Sequence, residues 1–235
     1  MKAHSDALEI TANNLANINT VGFKGDRAFH TLMGKVIDDS GYPSEMGLTV
    51  NKLVRTDRNI DYSDGDMLST GRNLDVAIRG DGFLTIDTPR GERYTRNGNM
   101  YLDLNSTLRT ADGNAVLGAS GRPITLGAGE IHISDDGGVY QNGAQVDRLK
   151  IVAFQDRSQL IKEGDALFVY NGETEPALKT GTVVRSGYLE RANVNAVRSM
   201  VNMISTMRQF EAIQRSVNHE ANDMNGKVIE RLGRS

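Results

Sequence analysis

The sequence predicts a mainly β protein inserted between terminal α-helices. The N- and C-terminal helices are expected to pair as a coiled-coil domain, with an antiparallel β-domain, a sandwich or an irregular barrel, between them. Three observations predict this. Residues 193–232 keep apolar positions spaced alternately by three and four. Residues 2–16 carry a second apolar face at helical spacing. The stretch between them breaks into short alternating segments separated by Asn-Gly and Asp-Gly turn signals.

The C-terminal run places Met200, Met203, Met207, Phe210, Gln214, Val217, Ala221, Met224 and Val228 on one stripe, and Val197 and Ile204 widen it. This is the 3.5-residue repeat of a coiled-coil seam. Gln214 at a core position costs stability but can set register. Propensity adds little to an isolated helix, so the stripe needs a partner. The N-terminal helix is the available one. Met1, Leu8, Ala12 and Leu15 share a face that Ala3, Ala7 and Ile10 extend, and Asn17-Ile18-Asn19-Thr20 ends the helix before Gly22. Asn and Gly end helices because they tolerate the left-handed conformation. The same stripes are also compatible with two helices packed on a globular domain. Asn193 is the expected N-cap of the long helix.

Between the helices the expected order is a connector over 21–73, a β-domain over 74–172 and a return connector over 173–192, flanked by helices at 1–20 and 193–235. Within the connector, Phe23, Phe29, Leu32, Met33, Val36 and Ile37 predict a short helical piece over 27–36. A loop follows at 40–47, then extended segments at Leu48-Thr49-Val50 and Lys52-Leu53-Val54. Strands are expected at 74–78, 83–86, 94–96, 100–104, 131–133 and 149–154, with a last extended pair at 180–189. The turns between them are Gly80-Asp81-Gly82, Pro89-Arg90-Gly91, Asn97-Gly98, Asp112-Gly113, Asp136-Gly137 and Asn142-Gly143. Asn-Gly and Asp-Gly favour two-residue hairpins because both central positions need positive φ. Short strands at this spacing indicate a sandwich or barrel.

Composition narrows the function. The 235 residues carry 27 basic and 30 acidic side chains, well mixed, for a formal charge of −3. No basic block marks a nucleic-acid binder, and no apolar run is long enough for membrane insertion. No secretory signal pattern opens the chain. The absence of Cys removes thiol nucleophiles, thiolate metal sites and disulfides together. His4, His30, His132 and His219 have no metal-ligand spacing. Gly80-Asp81-Gly82-Phe83 lacks the strand–turn–helix order of a phosphate site. Asp135-Asp136-Gly137-Gly138 lacks the spaced oxygens of a calcium loop, so hairpin turns account for both. No nucleophile elbow and no carboxylate dyad stands out, so no catalytic residue, cofactor or metal is expected. Asn13, Asn14 and Asn17 crowd the end of the first helix, either as a capped, frayed end or as a polar network with neighbouring chains.

The stretch Ala12-Asn13-Asn14-Leu15-Ala16-Asn17-Ile18-Asn19-Thr20-Val21-Gly22-Phe23-Lys24 resembles the N-terminal motif of the bacterial flagellar axial proteins, the rod and hook family. Leu74-Asp75-Val76-Ala77-Ile78-Arg79-Gly80-Asp81-Gly82-Phe83 resembles that family's first β-domain motif, followed by Tyr94-Thr95-Arg96-Asn97-Gly98. Gly187-Tyr188-Leu189-Glu190-Arg191-Ala192-Asn193-Val194-Asn195 resembles its entry into the C-terminal helix, which Met200 to Arg208 and Phe210-Glu211 continue.

The resemblance implies a structural subunit of the basal-body rod in the periplasmic space. It implies assembly with copies of itself and other rod subunits, after delivery by the flagellar type III export apparatus without a cleaved signal peptide. Residues 145–152 and 222–227 resemble the proximal rod subunit more than the distal one. The family's first helix usually begins upstream, so Met1 matches an internal Met of that helix and part of the export signal is expected to be missing. On this reading Leu8, Leu15, Met200, Met203, Met207, Phe210, Val217 and Met224 form the assembly seam. Asn13, Asn14, Leu15, Ala16, Asn17, Gly22 and Phe23 set the turn out of it. Two alternatives are a distal rod or small hook-type protein, and a β-domain that binds a polysaccharide with its helices only oligomerising. Six Phe, seven Tyr and no Trp supply few aromatics for a sugar groove.

Overall fold

A computed structural model of the chain describes residues 2–34, 52–164, 166–174, 176–178 and 181–232. The chain divides into two compact units. The first holds α1 (Lys2–Ala16), the hairpin of β1 (Asp26–Gly34) and β2 (Lys52–Ile60), and α2 (Ala196–Leu232). The second holds residues 17–25 and 62–194.

In the first unit β1 and β2 pair antiparallel from Asp26↔Ile60 to Gly34↔Lys52. α1 packs against α2 and also against both strands of this hairpin. Ile10 of α1 is buried, 3% exposed, and Arg58 reaches Glu9 at 2.6 Å. On α2 the half-buried positions Met203, Thr206, Phe210 and Ile213 recur at helical spacing.

This arrangement corrects the expected fold class. The protein is β-rich with antiparallel sheets, and among the described residues it has only two α-helices, which do not form a coiled-coil of terminal helices. α1 has 15 residues and α2 has 37. At ~1.5 Å per residue the first cannot cover the second. A heptad pattern records a stripe that needs cover, not what covers it, and here a hairpin shares α1 with α2.

Two further expectations change. Residues 27–34 form strand rather than helix, because a partner strand more than a dozen positions away satisfies their backbone, which local periodicity cannot register. The N-cap of α2 is Asn195, whose Oδ1 accepts from the Arg198 amide at 2.9 Å. The expected loop at 40–47, the segment Leu48-Thr49-Val50, Met1, and the side chains of Val217 and Met224 lie outside the described residues.

In the second unit the strands are β3 (Met67–Ser69), β4 (Val76–Arg79), β5 (Phe83–Thr88), β6 (Gly91–Thr95), β7 (Met100–Leu102), β8 (Leu108–Thr110), β9 (Ala115–Val116), β10 (Ile131–Ile133), β11 (Gly138–Gln141), β12 (Ala144–Arg148), β13 (Ile151–Ala153), β14 (Leu160–Lys162), β15 (Leu167–Tyr170), β16 (Ala177–Leu178), β17 (Val183–Ser186) and β18 (Tyr188–Glu190). The largest sheet runs β14-β15-β6-β5-β9-β8-β7, with β13 on β5 and β16 on β13. β10-β11-β12 form a smaller sheet, and β4–β17 and β3–β18 pair separately.

Pro89-Arg90 and Asn142-Gly143 each close a two-residue hairpin, between β5 and β6 and between β11 and β12. Asn97-Gly98 does not, because β6 pairs with β15 and β7 with β8. The core joins several sheets through Val76, Leu84, Ile86, Leu108, Val139 and Val184. Their burial is the main stabilising term, at about 25 cal/mol per Å² of apolar surface removed from water.

Candidate functional site

Two features stand out: an ionic cluster buried in the second unit and an uncovered apolar face on α2. The cluster is built from three segments far apart in sequence. Gly22-Phe23-Lys24-Gly25 follows α1, Arg96 follows β6, and Glu190 ends β18. Lys24 and Glu190 are each 1% exposed and Arg96 is 2% exposed. The Lys24 ammonium donates to Glu190 Oε1 at 2.6 Å and to the Ser63 carbonyl at 2.7 Å. The Gly65 amide donates to the same Oε1 at 2.9 Å. Arg96 Nη1 donates to Glu190 Oε2 and to the Ile78 carbonyl, both at 3.3 Å. Its Nη2 donates to the Gly80 carbonyl at 2.5 Å, and its guanidinium lies 5.0 Å from the Phe83 ring centre.

The backbone makes the same connections. The Gly22 amide donates to the Glu190 carbonyl at 2.8 Å. The Gly25 amide donates to Asn193 Oδ1 at 2.7 Å, and the Asn193 side-chain amide donates to the Ser63 carbonyl at 3.1 Å. Asn193, expected as a helix cap, is therefore engaged elsewhere. Phe23 is buried, with the Lys162 ammonium 4.2 Å from its ring centre.

Burial holds the Lys24 ammonium below its ordinary pKa of 10.5. The Glu190 carboxylate opposes this, and neighbouring Arg96 adds to the lowering. A buried pair of this kind contributes little net stability over an apolar replacement, but loss of one partner leaves an expensive uncompensated charge. Its chemistry is fastening. The charged groups are sealed from solvent and offer nothing to a small ligand.

The Asn residues at the end of α1 are engaged within the chain. Asn14 forms a two-way clasp with the backbone of Asp26, donating at 2.7 Å and accepting at 2.8 Å. Asn17 Oδ1 accepts from the Thr20 hydroxyl at 3.1 Å. Asn13 and Ala16 are exposed.

The seam residues divide. Leu8, Leu15, Met203 and Phe210 are half-buried. Met200 and Met207 are exposed and join Val197, Val201 and Ile204 in a second stripe, with Val197 71% and Ile204 53% exposed. Gln214 is exposed too. Phe83, Phe154, Phe168 and Tyr94 are buried against one another, Phe83 lying 5.5 Å from Phe168 between ring centres, and so are not available to a sugar groove. Among the described residues no cluster of His, Asp and Glu is arranged to hold a metal ion, and no helix is long and apolar enough to cross a membrane.

Sequence reasoning singled out Gly22 and Phe23 but gave no role to Lys24, Arg96 or Glu190. The available signal was a charged residue inside each of three motifs, and only the fold shows that they meet.

Comparisons with known proteins agree with the position of these motifs. Residues 1–24 match the flagella basal body rod protein family. Residues 77–141 match the flagellar hook protein FlgE/F/G D1 domain, and residues 185–231 the C-terminal region of the flagellar basal body rod FlgEFG proteins. The chain is 32% identical to the flagellar basal-body rod protein FlgF of Caulobacter vibrioides, over 97% of this chain and 92% of that relative. It is 34% identical to FlgF of Escherichia coli over 96% and 92%. It is 35% identical to FlgG of Bacillus subtilis over 90% and 88%.

Proposed function

The chain belongs to the flagellar basal-body rod protein family, and from that premise we propose that it is a structural, non-catalytic subunit of the basal-body rod. It joins copies of itself and other rod subunits into a shaft that transmits torque for motility. Repeated head-to-tail contacts that do not close into a ring generate such a filament. The proposed location is the periplasmic stretch of the basal body. Delivery there is by the flagellar type III export apparatus, without a cleaved signal peptide and without membrane insertion. A proximal position along the shaft rests on the resemblance of residues 145–152 and 222–227.

The observation that carries this reading is the α2 stripe of Val197, Met200, Val201, Ile204 and Met207, all exposed in the isolated subunit. A contiguous exposed apolar face marks a surface awaiting a partner, and interdigitated side chains would give the contact its rigidity. Substitution Ile204→Asp tests it. Ile204 is more than half exposed, so the subunit should fold unchanged while incorporation into basal bodies and swimming are lost. Normal rods carrying Asp at 204 would overturn the assignment. Phe210→Asp is less clean because Phe210 is half-buried within the subunit. The position of labelled subunits along isolated basal bodies separates a proximal from a distal location.

A further inference from the structure

The buried ionic cluster carries a charge imbalance that the assembly reading does not use. Two cations, Lys24 and Arg96, share one buried carboxylate, Glu190. Asp64 reaches Arg96 at 3.6 Å, but its side chain is 42% exposed. Arg96 Nε is buried without a hydrogen-bond acceptor. Glu190 lies 166 positions after Lys24 and 94 after Arg96. Without Glu190, a buried ammonium and a buried guanidinium would face each other with only the partly exposed Asp64 as counter-charge, which is strongly disfavoured. Residues 22–25 therefore have no favourable seat in the second unit until the segment containing Glu190 is present.

The backbone bonds point the same way. The Gly22 amide ends on the carbonyl of Glu190, the Gly25 amide ends on the side chain of Asn193, and the Asn193 amide returns to the carbonyl of Phe23 at 3.4 Å. The apolar core formed by Leu84, Ile86, Leu108 and Val139 needs none of these residues.

We propose that Glu190 acts as a completeness key. Its carboxylate makes the seating of the N-terminal motif conditional on the arrival of the segment that carries Glu190 and Asn193, so that this end of the unit closes last.

The test uses full-length protein and amide hydrogen exchange. E190Q keeps the shape and an acceptor for the Gly65 amide but removes the charge. Exchange at Gly22 and Gly25 should rise by roughly a hundredfold or more, while the amides of β5 stay protected. Adding K24M to E190Q removes one of the two cations that lost Glu190, leaving Arg96 to the Ile78 and Gly80 carbonyls and Asp64, and should restore part of the protection. A role limited to hydrogen bonding would not produce that rescue. Unchanged exchange in E190Q overturns the proposal, as does failure of K24M/E190Q to restore protection. If E190Q does not fold but the double variant does, charge balance is still the cause; if neither folds, it is not. Pulse labelling during refolding of the unaltered chain checks the order. Gly22 and Gly25 should gain protection with residues 187–193 and after β5, and earlier protection refutes late closure.

Discussion

Substitution of Gly22 by Ala separates two costs that usually come together, because a second glycine shares its backbone conformation. Gly22 and Gly71 both have φ of +69°. A Cβ on Gly71 would meet nothing within 4 Å, whereas one on Gly22 would lie 2.4 Å from Arg96 C and Asn97 N and 2.6 Å from Arg96 O. These are backbone atoms of the buried cluster and cannot rotate away. Gly71→Ala should therefore cost only the left-handed strain, about 1–2 kcal/mol. Gly22→Ala should add an overpacking term of about 1–3 kcal/mol. With a urea slope of about 2 kcal/mol/M, the unfolding midpoint should fall by roughly 0.5–1 M for Gly71→Ala and by roughly 1–2.5 M for Gly22→Ala. Tyrosine fluorescence is the suitable readout, because every Tyr except Tyr42 belongs to the second unit. Coincident midpoints for the two variants would refute the argument that the chain is jammed against Arg96 at Gly22.

Three further outcomes are expected. Asn195→Ala should destabilise α2 by ~1 kcal/mol and raise exchange at the Arg198 amide. Asn193→Ala should leave that amide untouched and release Gly25 instead. Leu84→Ala, at a fully buried position, should cost ~2–5 kcal/mol in urea unfolding of the second unit. In acid, Asp103 is held below its ordinary 3.8 by the Arg109 side chain and the Thr107 and Asn105 amides. Glu163 is held below 4.5 by Arg93 and Arg90. Both contribute stability that is full above those ordinary values and is lost as pH falls through the lowered ones. The urea midpoint should be flat near neutrality and fall only below about pH 4.5, with Asp103→Asn flattening the acid limb.

The family, the β-rich middle and the two helices were legible in the sequence, because each rests on short-range chemistry. Contiguous motifs such as Val21-Gly22-Phe23-Lys24 carry the family likeness. Period-2 segments with Pro89-Arg90 and Asn142-Gly143 between them specify hairpins through local φ preferences, and an unbroken apolar stripe specifies α2. What covers that stripe was not legible, because periodicity records a need for burial and not the identity of the partner. Hence the expected coiled-coil gave way to a short α1 shared with a hairpin. The 27–34 stretch became strand only through its pairing with Lys52–Ile60, and Asn97-Gly98 left its expected hairpin because β6 found β15. Only the tertiary structure brought Lys24, Arg96 and Glu190 together. A buried charge is tolerated where an opposite charge meets it in space, and sequence spacing carries no trace of such a meeting between residues 166 positions apart.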